Sequence, residues 1–426
     1  MPENIFVLGL DDANREVLER LPGAENYRFH GLLDVGAMRI GDTDYERLLD
    51  RANRELDAFD GPVHAITGYW DFPVTSLVPA LCEPRGLPCP SLESIAKCEH
   101  KYWSRLEQRA VIDEYPRFGL VDLDGEPALP EGLRYPVWLK PVKSASSKLA
   151  FEVDGDEALA EAVHTIREGI DDVSGPFDAV LARLDPPPEI AEAGARACLA
   201  EEAVGGAQIT VEGYSVDGEP HVYGVVDSVS YPDSSSFLRY QYPSTLPAPV
   251  QEQVTDISKR LCTRLGLTAT TFDIEFFVDE GAARVWVLEI NPRLSQSHAR
   301  LFEHVDGVSN LHCMVSLALG RDPRMPQREG RYALAAKCFL RRFTDGVVRR
   351  VPTAEEVERI EREVPGVSID VTTEEGARLS AQYAADSYSY ELADLHIGAD
   401  DQAELTAKYE RCVEALPFEI EERADD

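Results

Sequence analysis

The stretch "RVWVLEINPRLSQSH" (residues 284–298) starts as an apolar, β-branched run and then places Glu289, Asn291 and Arg293 at alternate positions. Alternate side chains of an extended strand share one face, so a carboxylate, a carboxamide and a guanidinium are expected to project together. Burying these groups without partners would be costly. The stretch therefore predicts that a ligand, or another charged element, meets this strand. One alternative is a buried ion pair between Arg293 and Glu289.

A second acidic strand precedes it. The segment "TTFDIEFFVDEGAARVWVLEIN" (residues 270–291) has the alternation of a hairpin that turns near residues 279–281. Pairing of its two arms would bring Glu275, Glu289 and Asn291 to one point. Hard oxygen ligands of this kind suit magnesium, which also binds substrate phosphates. The hairpin therefore predicts a magnesium site.

Lysine is scarce in this chain, and its distribution is uneven. Only eight of the 42 basic residues are Lys, and five of these lie between residues 97 and 148. We expect Lys101 on one helix over residues 91–110, with Ser91 as its N-cap, and Lys140 at the end of the strand "VWLKPV". Lysines act as compact point charges for phosphate. Beside a magnesium site they indicate a nucleoside triphosphate site, and the chain has no GxxxxGK[ST] motif, so it is not a P-loop.

These motifs, together with "EEAVGGAQ" (residues 201–208), stand in the order and spacing of one family. Over about residues 97–320 the sequence resembles the ATP-grasp superfamily, in its carboxylate–amine (amino-acid) ligase-like branch. The resemblance implies an α/β ATP-grasp fold with an N-terminal parallel α/β domain and a small C-terminal α+β segment. The expected domains are 1–96 (N-terminal α/β), 97–203 (central, with the first ATP-grasp subdomain), 204–325 (second ATP-grasp subdomain) and 326–426 (C-terminal α+β).

The same resemblance implies a role for each candidate site residue. The implied roles are phosphate binding by Lys101 and Lys140, adenine contacts by Glu201 and the backbones of Glu202 and Val204, ribose contact by Gln208, magnesium binding by Glu275, Glu289 and Asn291, and a substrate carboxylate on Arg293. Ser146, Ser147 and Lys148, in a loop where the family usually has glycines, are expected at the phosphates. Serine lacks the backbone freedom of glycine, so the resemblance does not imply that the loop 144–148 closes over the phosphates.

The activity implied is that of an ADP-forming ligase. It would use ATP and Mg²⁺, with Mn²⁺ as a substitute, to activate a small-molecule carboxylate as an acyl phosphate and join it to an amine. Two alternatives stay open: a biotin-carboxylase-like enzyme that uses bicarbonate, and a non-catalytic ATP-binding protein. The family also leads us to expect a homodimer.

The amino-acid composition excludes some classes of binding partner and indicates the cellular environment of the protein. A net charge of −35 with few Lys opposes binding to nucleic acid or anionic membrane and is typical of a salt-rich, halophilic cytoplasm. The eight Cys are scattered without a CxxC pair, which predicts buried free thiols. No run of about 20 apolar residues occurs, so we expect a soluble, cytoplasmic protein.

Two further segments are candidates for the substrate pocket. "SSSFLRYQYPSTLP" (residues 234–247) is predicted to be a surface loop in which Arg239, Tyr240 and Tyr242 contact substrate or pack against the protein. In "FLRRF", Arg341 and Arg342 alternate along a strand, so one of them is expected to face the site. Ser295, Ser297 and His298 indicate either substrate contacts or a structural loop.

Overall fold

The computed structural model describes residues 2–38, 44–144, 148–279, 281, 284–381 and 389–422. The chain begins with a parallel three-stranded sheet in the order β2–β1–β3. Its elements are β1 (Glu3–Leu8), α1 (Asp12–Glu19), β2 (Tyr27–Leu32), α2 (Tyr45–Asp57), β3 (Ala65–Gly68) and α3 (Val74–Cys82). The predicted parallel α/β arrangement is confirmed. Helices pack on both faces of β1 and β3, whose residues are mostly apolar and buried.

A four-stranded antiparallel sheet follows, in the order β4–β7–β5–β6. The elements of this part are α4 (Leu92–Glu99), α5 (Lys101–Arg109), β4 (Phe118–Val121), β5 (Val137–Pro141), β6 (Phe151–Val153), α6 (Asp156–Ser174), α7 (Asp178–Leu181), α8 (Pro188–Ala193) and β7 (Cys198–Glu202). The apolar face of α6 packs on this sheet and forms its core.

The remaining part is built around an eight-stranded antiparallel sheet, in the order β12–β11–β8–β9–β10–β13–β16–β15. Its strands are β8 (Ala207–Val216), β9 (Glu219–Ser230), β10 (Phe237–Tyr242), β11 (Thr270–Asp279), β12 (Arg284–Asn291), β13 (Leu334–Arg342), β15 (Val367–Val371) and β16 (Tyr390–Ala399). The other elements are α9 (Ala248–Leu265), α10 (Ala299–Asp306), α11 (Leu311–Ala318), β14 (Val347–Arg350), α12 (Ala354–Glu363), α13 (Gln402–Ala415) and β17 (Glu419–Glu421). The expected boundary at 325/326 therefore falls between strands of one sheet. The domain limits stay predictions.

Two local expectations are wrong. The helix over residues 91–110 is broken at His100, whose extended backbone ends α4 and whose side chain caps α5. This break lets the Lys101 backbone N–H donate to the Val142 carbonyl (2.8 Å), next to the end of β5. Ser91 does cap α4, as predicted. The supposed loop 234–247 contains β10, which lies in the middle of the large sheet.

The structure also tests the expected state of the cysteines and the expectation about membrane-spanning segments. All eight Cys are free thiols, and seven are buried, which confirms the expectation of buried free thiols. Within the described residues, no helix is both long enough and apolar enough to cross a membrane.

The buried cap at His100 predicts a loss of stability in acid. Its Nδ1 accepts from the Trp103 N–H (3.2 Å) and its Nε2 bonds the Gly194 carbonyl (3.0 Å), so the ring fits as neutral imidazole. Burial lowers the pKa of His100 to about 4. The unfolded chain therefore binds the proton more readily, and stability present above pH ~6.5 is lost as the pH falls through ~4, by on the order of 3 kcal/mol.

Urea unfolding at a series of pH values tests this. A His100→Asn variant keeps a capping acceptor but does not titrate, so we expect its stability to fall less steeply between pH ~6.5 and ~4. His164→Asn, at an exposed helix position, serves as the matched control. Equal pH slopes for His100→Asn and wild type would contradict the assignment.

Candidate active site

The hairpin β11–β12 brings the predicted metal ligands together. Glu275 lies opposite Glu289, and Asp273 lies opposite Asn291. The Asn291 amide donates to Asp273 Oδ1 (3.2 Å) and Glu275 Oε1 (3.4 Å). Asp273 was not singled out from the sequence, although its position two residues before Glu275 already places it on the same face of the strand.

The electrostatics of this hairpin favour a bound cation. Burial, together with Asp273 and Glu289, raises the pKa of Glu275 to about 8, and burial raises the pKa of Asp273 to about 6. Crowded carboxylates of this kind are relieved by a positive charge between them. Carboxylate and amide oxygens are also the ligands that Mg²⁺ accepts, so the donor set fits the ion.

The two expected phosphate lysines line one small pocket beside Glu289. Lys101 Nζ contacts Glu289 Oε1 (2.5 Å) and donates to the Ser144 carbonyl (3.1 Å). Burial by itself raises the pKa of Glu289, but the adjacent Lys101 holds it at about 2. Lys140 Nζ contacts Glu201 Oε2 (2.6 Å), and burial lowers the pKa of Lys140. Each lysine thus stands beside a carboxylate, Lys101 beside Glu289 and Lys140 beside Glu201, and their phosphate contacts stay predictions.

The Glu201 side chain has a different environment from the one expected. Its carboxylate is buried and accepts from Arg105 Nε (2.5 Å) as well as from Lys140. Burial raises its pKa, yet these two cations bring it down to about 2. A contact between this carboxylate and an adenine amine would break two buried ion pairs, which is costly. The adenine contacts assigned to Glu201, Glu202 and Val204 stay predictions.

The remaining residues that were predicted to contact the nucleotide are Gln208, Lys148, Ser146 and Ser147. Gln208 Nε2 donates to Glu275 Oε2 (3.0 Å), so this amide lies at the metal end of the sheet, and its ribose contact stays a prediction. Lys148 is exposed. Ser146 and Ser147 lie outside the described residues.

Arg293 follows β12 and contacts the N-terminal domain. Its Nε donates to Asp71 Oδ1 (2.7 Å), so the alternative of an Arg293–Glu289 ion pair is wrong. Burial lowers the guanidinium pKa, but Asp71 and Asp273 keep it above its usual value. Asp71 is a residue that sequence reasoning missed. It lies just beyond the carboxyl end of β3, the edge at which open parallel sheets bind ligands.

A buried network fixes the loop that carries Arg293. Glu212, directly opposite Asp273 on β8, is fully buried. Its carboxylate accepts from four donors, which are His298 Nδ1 (2.6 Å), Tyr223 OH (2.6 Å), Asn310 Nδ2 (3.0 Å) and the Ser295 N–H (3.3 Å). Glu212, Asp273 and His298 are close enough to share a metal ion. Because the acceptor sites of Glu212 are already filled, we assign this network to anchoring the loop.

The side chains that were predicted to line the substrate pocket lie on both faces of the eight-stranded sheet. Tyr240 packs edge-on against His298 (4.8 Å between ring centroids). Arg239 projects to the opposite face and bonds Gln241. Tyr242 is buried and bonds Asp306. Of the two arginines in "FLRRF", Arg341 is the inward one, while Arg342 pairs with Glu422 at the surface.

Comparisons with known proteins agree with this geometry. Residues 133–299 match the family model described as the ATP-grasp domain. A search of curated protein sequences finds no match.

Among solved structures, the chain is similar to the L-amino acid ligase from Bacillus licheniformis, with a TM-score of 0.72, 15% identity and 99% of each chain covered. It is also similar to phosphoribosylglycinamide synthetase from Anaerococcus prevotii, with a TM-score of 0.66, 13% identity and coverage of 99% of this chain and 100% of that one.

A third similar structure is the biotin carboxylase domain dimer of the Hydrogenobacter thermophilus 2-oxoglutarate carboxylase, in complex with MgADP, ADP and bicarbonate. The TM-score is 0.66 at 16% identity, with 98% of this chain and 90% of that one covered. At such identities the likeness shows the fold. The expected ATP-grasp fold is thus confirmed, and residues 133–299 match the model of the ATP-grasp domain.

Proposed function

We propose that the protein is an ATP- and Mg²⁺-dependent ligase that activates a small-molecule carboxylate as an acyl phosphate and joins it to an amine. The observation that carries this proposal is the convergence of two lysines, Lys101 and Lys140, with a carboxylate hairpin beside Arg293, in a chain whose residues 133–299 match the ATP-grasp domain model. A site for a transferring phosphoryl group needs cations and metal ligands in this arrangement, because its catalysis consists mainly of positioning and charge stabilisation.

Each residue has a part in the proposed reaction. Lys101 and Lys140 bind the phosphates of ATP, and Glu275, Glu289 and Asn291 hold magnesium, or manganese as a substitute. When bound, the ion neutralises phosphate charge and orients the γ-phosphoryl group. Arg293, with a planar fork of donors, holds the carboxylate substrate. Asp71 fixes the orientation of that guanidinium.

The chemistry proceeds in two steps. A carboxylate oxygen attacks the γ-phosphorus, and the bond to the β–γ bridging oxygen breaks, which gives an acyl phosphate and ADP. The amine nitrogen then attacks the acyl carbon and expels inorganic phosphate with the bonding electron pair, and the nitrogen loses a proton. Water must stay out of the closed site, since it would hydrolyse the acyl phosphate.

An ADP-release assay separates this proposal from its alternatives. The protein is incubated with ATP and magnesium, together with single amino acids, pairs of amino acids, or bicarbonate. Release that requires a carboxylate and an amine together supports the ligase. Bicarbonate-dependent release would favour a carboxylase-like reaction, and no release with any of these compounds would favour a non-catalytic ATP-binding protein.

We also propose that the protein works as a homodimer in a salt-rich cytoplasm. The dimer is supported by the similar biotin carboxylase domain, which is described as a dimer. The halophilic setting is supported by the net charge of −35. A cytoplasmic location agrees with the eight free thiols, since reducing compartments keep thiols unpaired.

The halophilic proposal predicts a strong dependence on salt. The screening length falls from about 10 Å at ~0.1 M salt to about 3 Å near 1 M, so crowded surface carboxylates repel one another much less in molar KCl. We expect the melting temperature and the activity to rise steeply over this range. Magnesium–ATP is expected to replace part of the salt effect, because it binds only the folded state.

Melting curves at low and molar KCl, each with and without nucleotide, test both statements. A melting temperature that is indifferent to KCl would refute the halophilic setting. A nucleotide effect that is absent at both salt concentrations would count against the ATP site itself.

A further inference from the structure

Lys143 is a buried lysine of the lysine-rich stretch 97–148 that has no part in the proposed reaction. Its side chain is 5% exposed and contacts the carboxylate of Glu99, which is 6% exposed. The ammonium group also lies over the rings of Phe72 and Phe177, at 5.0 and 5.8 Å from their centroids. A carboxylate and two aromatic rings thus enclose this cation, so it presents almost no surface to a ligand.

A buried ion pair of this kind is weak evidence for stability. The cost of taking both charges out of water largely offsets their attraction, so an uncharged pair of similar size is often equally stable. Removal of only one partner is different, because it leaves a lone charge in the interior. The pair of Glu99 and Lys143 is therefore better explained by the position that it imposes on its neighbours.

Those neighbours are a proposed phosphate lysine and the segment that holds it. Glu99 ends α4 and Lys101 begins α5. The Val142 carbonyl, just after β5, accepts from the Lys101 N–H (2.8 Å), and the Ser144 carbonyl accepts from Lys101 Nζ (3.1 Å). Between these two contacts, Lys143 contacts Glu99. The ion pair thus fixes the middle of a three-residue segment whose outer carbonyls both bond Lys101.

Two buried hydroxyl groups hold the ion pair in place. Thr75 Oγ1, on α3, donates to Glu99 Oε1 (2.6 Å). Ser174 Oγ, at the end of α6, donates to the Lys143 carbonyl (2.8 Å). Both hydroxyl-bearing residues are buried. Helices of the N-terminal domain and of the four-stranded part therefore set the position of the pair, and through it the position of the segment 142–144.

The direction of the Lys101 ammonium group depends on this segment. An ammonium group has three donors. Two acceptors of Lys101 Nζ are the Ser144 carbonyl and Glu289 Oε1. A shift of the segment 142–144 would remove the first acceptor and leave the group directed by Glu289 alone.

We propose that Lys143, together with Glu99, is a positioning residue for nucleotide binding. This inference rests on the phosphate role proposed for Lys101. The ion pair keeps the segment 142–144 in the place where the Ser144 carbonyl orients the Lys101 ammonium group towards the phosphates. Lys143 does not touch the nucleotide. When the pair is neutralised, the segment shifts and nucleotide binding weakens through Lys101 alone.

Calorimetry with magnesium and a non-hydrolysable ATP analogue tests this role without catalysis. The double variant Glu99→Gln/Lys143→Met removes both charges together and leaves an acceptor for the Thr75 hydroxyl. We expect it to bind the analogue about tenfold more weakly, with a melting temperature close to that of wild type. In a Lys101→Met background the same double change is expected to have no further effect, because Lys143 acts through Lys101.

A matched control and a milder variant complete the test. Glu93→Gln/Lys97→Met makes the same two substitutions in an i,i+4 ion pair of α4, in which Glu93 is 57% exposed, and is expected to bind the analogue like wild type. Thr75→Val keeps both charges and removes only one hydrogen bond to Glu99. We expect it to weaken binding about threefold, again only when Lys101 is present.

Each outcome decides between the possible roles. Wild-type affinity of a folded double variant would overturn the proposal, as would wild-type affinity of Thr75→Val if the double variant did not fold. Additive losses in the Lys101→Met background would also overturn it, since Lys143 would then act independently of Lys101. Wild-type affinity of Lys101→Met itself would refute the phosphate role of Lys101 and this inference with it. The expected binding losses in a protein that never releases ADP would refute the ligase function and leave the positioning role standing.

Discussion

Replacement of Glu289 by Gln is expected to reduce ATP turnover at least about a hundredfold while the fold is retained. Glu289 stands opposite Glu275 at the end of the hairpin and contacts Lys101 at 2.5 Å. The amide keeps the size of the side chain but removes the negative charge that both the cation and Lys101 require. The Glu289 side chain is 41% exposed, and the Gln side-chain oxygen can still accept a hydrogen bond from Lys101, so the fold is expected to survive.

The measurement is ADP release at saturating ATP and magnesium, together with a melting curve. Glu252→Gln, an equivalent change at an exposed position of α9, is the matched control and is expected to turn over like wild type. A Glu289→Gln enzyme with wild-type turnover would remove Glu289 from the metal site.

Replacement of Lys140 by Ala is expected to raise the apparent KM for ATP and to lower kcat, together by about one to two orders of magnitude in kcat/KM. Lys140 is largely buried at the end of β5 and contacts Glu201, and its replacement removes one of the two lysines proposed for the phosphates. The fold is expected to survive, because Glu201 keeps its second partner, Arg105.

Lys259→Ala is the control for this variant, since Lys259 lies on an exposed turn of α9. Its kinetic constants are expected to equal those of wild type. If both variants lost activity to the same extent, the uneven distribution of Lys would carry no information about the phosphate site.

The site residues that could be predicted from sequence are those in which polar side chains alternate with apolar ones along a single strand. Glu289, Asn291 and Arg293 interrupt an apolar strand at every second position, and "FDIEF" repeats this pattern in the other arm of the hairpin. One hairpin register is then enough to bring Glu275 and Glu289 together, as the structure shows. The parallel order of the N-terminal sheet was expected from the family resemblance and is observed.

The residues that were missed depend on contacts between distant elements. Asp71 meets Arg293 across 222 positions, and Arg105 meets Glu201 across 96 positions. No local pattern encodes such a meeting, because it follows from how the sheets pack. β10 was missed because serines and prolines flank it, although Tyr240 and Tyr242 alternate as strand residues do. The break at His100 accompanies a tertiary hydrogen bond from the Lys101 N–H to the Val142 carbonyl, which no local pattern encodes.

The most direct test of the ligase proposal follows an oxygen atom. The carboxylate substrate that gives the fastest ADP release is prepared with ¹⁸O in its carboxyl group and incubated with ATP, magnesium and the amine. If an acyl phosphate forms, one labelled oxygen leaves with the phosphoryl group, so mass spectrometry should find one ¹⁸O in each inorganic phosphate released. Phosphate that contains only unlabelled oxygen, formed together with ADP, would show that the carboxylate never attacked phosphorus and would contradict the proposed function.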